Sequence, residues 1–258
     1  MSRWIYALAT ITLGILILVA SVLLMVFGFD AIVFSSTSIL APVIALSMGL
    51  LGIRFFGRES FLKEDRYHTF NVWIALGLIF FSLADVTVIL VSAAENSEQI
   101  CFTIGLVQLP GLFLWVLGIL GYLKSLNASL KLTEGTQLWL ALGIITTLIS
   151  LSLIVIFTII FPTRDLLSTI VFVPIAVVLG LILCVIIAIS WIFREGILAR
   201  PLLLLLFGII LLFIRAIFWQ VEGYCDSISL NQIMAIESYF LVGASFLIAE
   251  KLDAIFEE

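Results

Sequence analysis

The chain has 258 residues, of which 64% are hydrophobic and 11% charged, and its net charge is −5. This composition excludes an ordinary soluble domain, and the acidic balance excludes a nucleic-acid-binding protein. A helix needs about 20 mainly apolar residues to cross about 30 Å of hydrocarbon. Eight runs reach that length: 4–28, 31–53, 70–93, 102–123, 137–161, 168–193, 201–221 and 230–249.

The first run follows Arg3 and is too long for the apolar core of a secretory signal, so we predict that it is retained as span 1. All the runs are rich in Leu, Ile and Val without the alternation of a membrane β-strand. Gly28 ends the first run and Asp30 precedes the second, and both residues are typical of a tight hairpin. If the two runs did not form separate spans, the chain would have seven spans. The sequence therefore predicts an all-α, polytopic membrane helical bundle, with eight transmembrane helices in one integral membrane domain over residues 1–258.

Basic residues accumulate on one side of these spans. Ten of them lie at the termini or in connections 2–3, 4–5 and 6–7: Arg3, Arg54, Arg58, Lys63, Arg66, Lys124, Lys131, Arg194, Arg200 and Lys251. The opposite side has Arg164 and most of the acidic connections. Because cytoplasmic connections carry the positive excess, we predict a cell-membrane protein with both termini in the cytoplasm.

Two of the three cysteines, Cys101 and Cys225, fall at the predicted outer ends of spans 4 and 7. Disulfides persist on that oxidising side, so a Cys101–Cys225 bridge could tie spans 3–4 to spans 7–8. Two unpaired thiols are the alternative, since spacing alone does not bring Cα atoms within reach.

Three ionisable residues lie deep within the spans. At 1.5 Å per residue, Asp85 lies about 12 Å, Arg215 about 10 Å and Glu237 about 11 Å below the predicted outer ends of their helices. A lone charge at such depth is costly, so we expect Arg215 to pair with both carboxylates inside the bundle. If both acids are ionised, the cluster has one net negative charge, and we expect a bound proton or a nearby cation to compensate it.

Polar residues at the same level include Gln108 in span 4 and the run Ser35–Ser38 in span 2. We therefore predict a ligand-binding pocket that opens outward, formed by Asp85, Arg215, Glu237, Gln108 and Ser36. It would bind, sense or move a small amphiphile or lipid. The alternative is a structural protein in which the charged cluster only locks the packing of the helices.

The sequence favours a non-enzymatic protein without cofactor or metal. His68, the only histidine, lies in a charged connection, which excludes histidine dyads and histidine metal sites at the predicted pocket. Intramembrane lipid hydrolysis by Asp85 and Glu237 is a further alternative, although Arg215 beside them would hinder a general acid. Membrane lipids are the expected partners. The tail "EKLDAIFEE" is too short for a signalling domain, so a sensing function would require a separate cytoplasmic partner.

Three short stretches resemble known families. "FIRAIFWQVEG" with the later "ESYF" resembles the last two spans of the fungal lipid-translocating exporters linked to resistance to toxins and sterol analogues, in which Arg215, Glu222 and Glu237 match the family pattern. "GLIFFSLADVTVIL" with "LGILGYL" is similar to the eight-span lysoplasmalogenases, whose intramembrane aspartate corresponds to Asp85. The same stretch is similar to multi-span prokaryotic sensor regions. These resemblances imply lipid transport, lysolipid hydrolysis and sensing, respectively.

Spans 3–4 and 7–8 share a layout, in which an outward helix has a charge in its outer third and an acidic connection with one cysteine follows. This layout is consistent with a parallel duplication of two four-helix halves.

Overall fold

The computed structural model is all helical over the residues that it describes, which are 3–62, 66–92, 97–131, 135–156, 166–221 and 228–256. They form α1 (Arg3–Val26), α2 (Asp30–Leu62), α3 (Arg66–Ser92), α4 (Ser97–Leu130), α5 (Gly135–Val155), α6 (Leu166–Ile192), α7 (Ala199–Val221) and α8 (Ile228–Phe256). Each of the eight contains a stretch long and apolar enough to cross a membrane. The predicted all-α fold, with eight helices long and apolar enough to span a membrane, is thus confirmed for this part of the chain. The orientation stays a prediction, and "predicted outer end" below means the end where α1, α3, α5 and α7 finish.

The turn between α1 and α2 forms as predicted. Gly28 has a positive φ of 79°, a conformation that glycine adopts without a steric penalty. The Phe29 amide donates to the Leu24 carbonyl at 2.9 Å, which satisfies the C-terminal end of α1. Asp30 then begins α2, so the chain reverses within a few residues and both runs remain separate spans.

Six of the helices form a closed ring. In order around it, α2 packs against α3, α3 against α4, α4 against α6, α6 against α7, α7 against α8, and α8 against α2. Two helices lie outside the ring, α1 mainly against α8 and α5 mainly against α6. Of the eight spans, α8 is the most buried, while α1 and α5 are the least. The ring therefore has a central axis onto which α3, α4, α6, α7 and α8 can direct side chains.

The packing of the second half of the chain repeats that of the first. When α2, α3 and α4 are exchanged with α6, α7 and α8 in order, each closely packed pair of the ring becomes another closely packed pair, whereas α1 and α5 pack differently. For example, α2 with α3 corresponds to α6 with α7, and α2 with α8 corresponds to α6 with α4. Because each half has an even number of helices, both halves run in the same direction, as in a parallel repeat. Asp85 on α3 and Arg215 on α7 thus lie on corresponding helices of the two halves.

Helices α3 and α4 approach each other closely at Gly77. A side chain there would meet the Trp115 ring and would lie 2.9 Å from the Gly111 carbonyl oxygen. Trp115 is fully buried, and its Nε1 donates to the Ile74 carbonyl at 2.9 Å. Glycine at this position lets the two backbones lie close, as small residues do between membrane helices.

His68 differs from its predicted environment. Instead of lying in a charged connection, it is in the first turn of α3 and is buried, with its ring 5.5 Å from that of Phe56. The aromatic packing between Phe56, His68 and Phe246 joins α2, α3 and α8 at the end opposite the predicted outer end.

Candidate functional site

Asp85, Arg215 and Tyr239 meet inside the ring. Arg215 Nη2 lies 3.2 Å from Asp85 Oδ1, and Tyr239 donates its hydroxyl proton to Asp85 Oδ2 at 2.7 Å. The side chains of Asp85 and Arg215 are 0% and 3% exposed, and Tyr239 is fully buried. Each oxygen of the carboxylate therefore has a donor, and the buried charges of Asp85 and Arg215 compensate each other.

The direction of the helices explains why these side chains converge. In a helix, side chains lean toward the N-terminus. Asp85 and Arg215 are on α3 and α7, which run toward the predicted outer end, so both lean inward from it. Tyr239 is on α8, which runs the opposite way, and leans outward to meet them. In the described part of the chain α3 does not pack extensively along α7 or α8. The side chains of Asp85, Arg215 and Tyr239 therefore connect α3 to these two helices across the ring.

A small cavity lies beside the ion pair on the ring axis. Gln108, Arg215 and Tyr239 form its polar lining, and the rest is apolar: Phe81, Leu112, Ile175, Leu179, Leu212 and Ala216. The empty volume between these side chains, including the mouth of the cavity, is about 340 Å³. Most of it is too narrow for water, because the centre of a water molecule fits within only about 20 Å³. That space holds about one water, so a larger occupant has to displace side chains.

The structure brings Gln108 to this site but not Ser36. Gln108 on α4 is buried and lines the cavity together with Arg215. Ser36 is exposed on α2, and its hydroxyl donates to the carbonyl of Ile32 at 2.8 Å. Ser35 and Thr37 likewise bond within their own helix. The predicted polar lining from this run is therefore wrong for Ser36, because serine hydroxyls in a helix are readily satisfied by the preceding turn.

Glu237 also lies away from the cluster. Tyr239 and Glu237 are two residues apart, which places them about 200° apart around α8. Tyr239 faces the ring axis, whereas Glu237 faces α1, where Oε2 lies 2.8 Å from the position that a Gly14 Cβ would occupy. Among the described residues the Glu237 carboxylate forms no ion pair, so the predicted pairing with Arg215 is wrong for Glu237. The pairing of Arg215 with Asp85 is confirmed.

Sequence reasoning missed two residues on α8. Tyr239 is one, although it lies only two residues after Glu237 in the run "ESYF". Gln232 is the other: it is 0% exposed, and neither its Nε2 nor its Oε1 has a hydrogen-bond partner. Ser38 on α2 has a buried hydroxyl that is also unsatisfied. Since Gly243 of α8 meets Met48 of α2, the parallel register places Gln232 and Ser38 at about the same height. Unsatisfied buried groups of this kind commonly bind water.

The predicted Cys101–Cys225 bridge lies outside the described residues, which exclude Cys225 and the side chain of Cys101. Cys184 is described, and its thiol is free. Among the described residues, no group of three or more His, Cys, Asp or Glu side chains could hold a metal ion.

The eight helices and the buried ion pair on the ring axis are those of a multi-pass helical membrane protein. Compared with family models, curated proteins and solved structures, the chain gives no significant match. The exporter, lysoplasmalogenase and sensor resemblances therefore stay predictions, and the function is argued from the geometry alone.

Proposed function

We propose that this membrane protein binds a small amphiphilic acid in the cavity beside Arg215, and that binding changes how α3 is held against α7 and α8. One observation carries the proposal: Arg215 both pairs with Asp85 and lines the central cavity. A guanidinium has five N–H donors, so it can hold a second oxyanion while it turns from the first. The apolar lining by Ile175, Leu179 and Leu212 suits the tail of the ligand.

Charge balance selects the type of acid. Asp85 and Arg215 together are neutral, so an added permanent anion would leave an uncompensated negative charge in a buried site. A weak acid avoids this cost. Its carboxyl proton passes to Asp85, the resulting carboxylate pairs with Arg215, and the neutral Asp85 carboxyl remains next to Tyr239. The number of charges is unchanged, while the ion pair now joins α7 to the ligand instead of α3.

Arg215 then no longer fastens α3 to α7. Because α3 has little other packing with α7 or α8 in the described residues, α3 is then free to shift relative to α7, while the packing of α2 with α8 and of α4 with α6 still joins the two halves. This coupling is the basis for a sensing function.

The proposal is tested by thermal unfolding of the purified protein in a neutral detergent with three amphiphiles of equal chain length. Decanoate is expected to raise the melting temperature, and more so at lower pH because binding takes up a proton. Decyltrimethylammonium and decyl sulfate are not expected to do so. At one hundred times the Kd, the stabilisation by decanoate is about 2.7 kcal/mol.

The Asp85→Asn variant supplies the matched control. It leaves Arg215 without its carboxylate, so we expect a less stable protein that decyl sulfate now stabilises, since a permanent anion restores neutrality. If decanoate and decyltrimethylammonium shift wild type equally, or if decyl sulfate fails to stabilise Asp85→Asn, the ion pair is a packing lock and the proposal is overturned.

Transport is a second candidate, favoured by the repeated packing of α2–α4 and α6–α8 around the cavity. Parallel repeats in transporters rock about a site at their interface. We expect a transporter with Gln108→Cys, in a chain whose three native cysteines are replaced, to react with a membrane-impermeant maleimide from both sides of a vesicle. Reaction from one side only would favour sensing over transport.

A further inference from the structure

The seam between α1 and α8 contains small residues on the α1 side. The buried residues among the described side chains of α1 are Ala7, Gly14 and Ser21, spaced seven residues apart. Ala7 packs with Ala244, Leu247 and Ile248 of α8, and Gly14 meets Glu237 and Phe240. A seven-residue repeat keeps one helix face against its neighbour. This seam is the main attachment of α1 to the bundle.

Glu237 lies in the middle of this seam. Its Oε2 faces Gly14, its Oε1 is buried without a hydrogen-bond partner, and the rest of the side chain is partly exposed. Gly14 is about 15 Å from Trp4 and about 18 Å from Val26 along α1. Glu237 is therefore well inside the spans, where a charged carboxylate without a partner is costly.

No described basic side chain faces Glu237 from the helices packed against α8. On α1, the one titratable side chain between Trp4 and Val26 is Tyr6, about 12 Å along the helix from Gly14. On α2, Asp30 and Arg54 are each about 18 Å along the helix from the level of Glu237. On α7, Arg215 pairs with Asp85 on the other side of α8, and Arg200 is about 15 Å along that helix. On α8 itself, Tyr239 points to the ring axis, while Glu250, Lys251 and Asp253 are at the far end of the helix.

We propose that Glu237 is a proton-binding site, and that its neutral carboxyl is the form in which α1 packs against α8. Loss of the proton places an uncompensated charge against the Gly14 backbone, and the carboxylate recovers hydration only if α1 moves away. Proton binding at Glu237 thus controls the attachment of α1. This site is separate from the Arg215 cavity, and it stands whether or not that cavity binds an acid.

Dicyclohexylcarbodiimide tests the proposal in wild-type protein, because this lipophilic reagent modifies neutral carboxyl groups that are accessible from lipid. The carboxyl proton moves to a carbodiimide nitrogen, the carboxylate oxygen bonds to the central carbon, and acyl migration gives a stable N-acylurea. We expect peptide mass spectrometry to find the adduct on Glu237, and not on Asp85, which is paired, or on exposed Glu195. Above its midpoint, labelling should fall about tenfold per pH unit. Absence of the Glu237 adduct, or equal labelling of Asp85, would overturn the proposal.

A cross-link measures the position of α1. Ala7→Cys and Ala244→Cys, in a chain without its three native cysteines, should cross-link efficiently at low pH and lose more than half of that yield as Glu237 ionises. Adding Glu237→Gln, which cannot ionise, should keep the yield high at every pH. A yield that falls equally with and without Glu237→Gln would show that the carboxyl does not control α1.

Discussion

Replacing Arg215 with leucine is expected to lower the free energy of unfolding by about 3–5 kcal/mol, because it leaves the Asp85 carboxylate buried beside an apolar side chain. Asp85 has no route to water from its position, since it is 0% exposed. The hydroxyl of Tyr239 still donates to Oδ2, but a neutral donor does not compensate a full charge. Thermal or denaturant unfolding in detergent, followed by the loss of helical circular dichroism, measures the change.

A double-mutant cycle distinguishes pairing from general disruption. Arg215→Gln combined with Asp85→Asn replaces two charges with two neutral groups that can still hydrogen-bond. We expect the double variant to be more stable than either single variant, because neither member is left charged without a partner. A free-energy change equal to the sum of the single changes would contradict the pairing. Arg194→Leu is the matched control, since Arg194 is 57% exposed and its ion pair with Glu195 is worth less than about 1 kcal/mol.

The number of spans and the depth of the charged residues could be predicted from the sequence. Both follow from length, because apolar runs must cross a fixed hydrocarbon thickness and each helical residue rises by a fixed distance. Asp85 and Arg215 do lie at matching depth, and they pair. Depth says nothing about direction around the helix, however, and so it does not distinguish Glu237, which faces α1, from residues that face the ring axis.

Direction around the helix is hard to predict here because lipid and protein interior are both apolar. In a soluble helix, a polar face marks the side that meets water. The apolar residues of helices such as α3 and α5 are spread over all sides, so hydrophobic periodicity does not distinguish the face toward the ring from the face toward lipid. Small residues are the better signal in membranes. Ala7, Gly14 and Ser21 could have identified the face of α1 that packs against α8.

Some polar side chains in the spans form their hydrogen bonds within their own helix, and others do not. Ser36 belongs to the first class, and its hydroxyl already has a carbonyl acceptor one turn earlier. Gln108 and Gln232 have longer side chains that do not bond back in this way, and both are buried. A buried glutamine, carboxylate or guanidinium group within a span is therefore a stronger indicator of a site than a serine or threonine whose hydroxyl bonds to the preceding turn of its own helix.

Replacing Gly77 with alanine is expected to lower the free energy of unfolding by about 2–4 kcal/mol, through overpacking and the loss of a buried hydrogen bond. The new methyl group would meet the Trp115 ring, which cannot withdraw without breaking the bond from Nε1 to the Ile74 carbonyl. It would also lie 2.9 Å from the carbonyl oxygen of Gly111, so α3 and α4 must separate. Unfolding in detergent measures the loss, and fluorescence from Trp115 should change with it.

Gly121→Ala on α4 is the matched control, because a side chain there has no neighbour within 4 Å. The same substitution in open space should change stability by less than about 1 kcal/mol, and in the stabilising direction, since alanine has the higher helix propensity.

The separation of α3 from α4 in Gly77→Ala also moves Asp85 relative to Arg215, so that variant should lose the coupling energy between the two. If Gly77→Ala were as stable as Gly121→Ala, or if it kept the full coupling, the close contact at Gly77 would not be what positions Asp85.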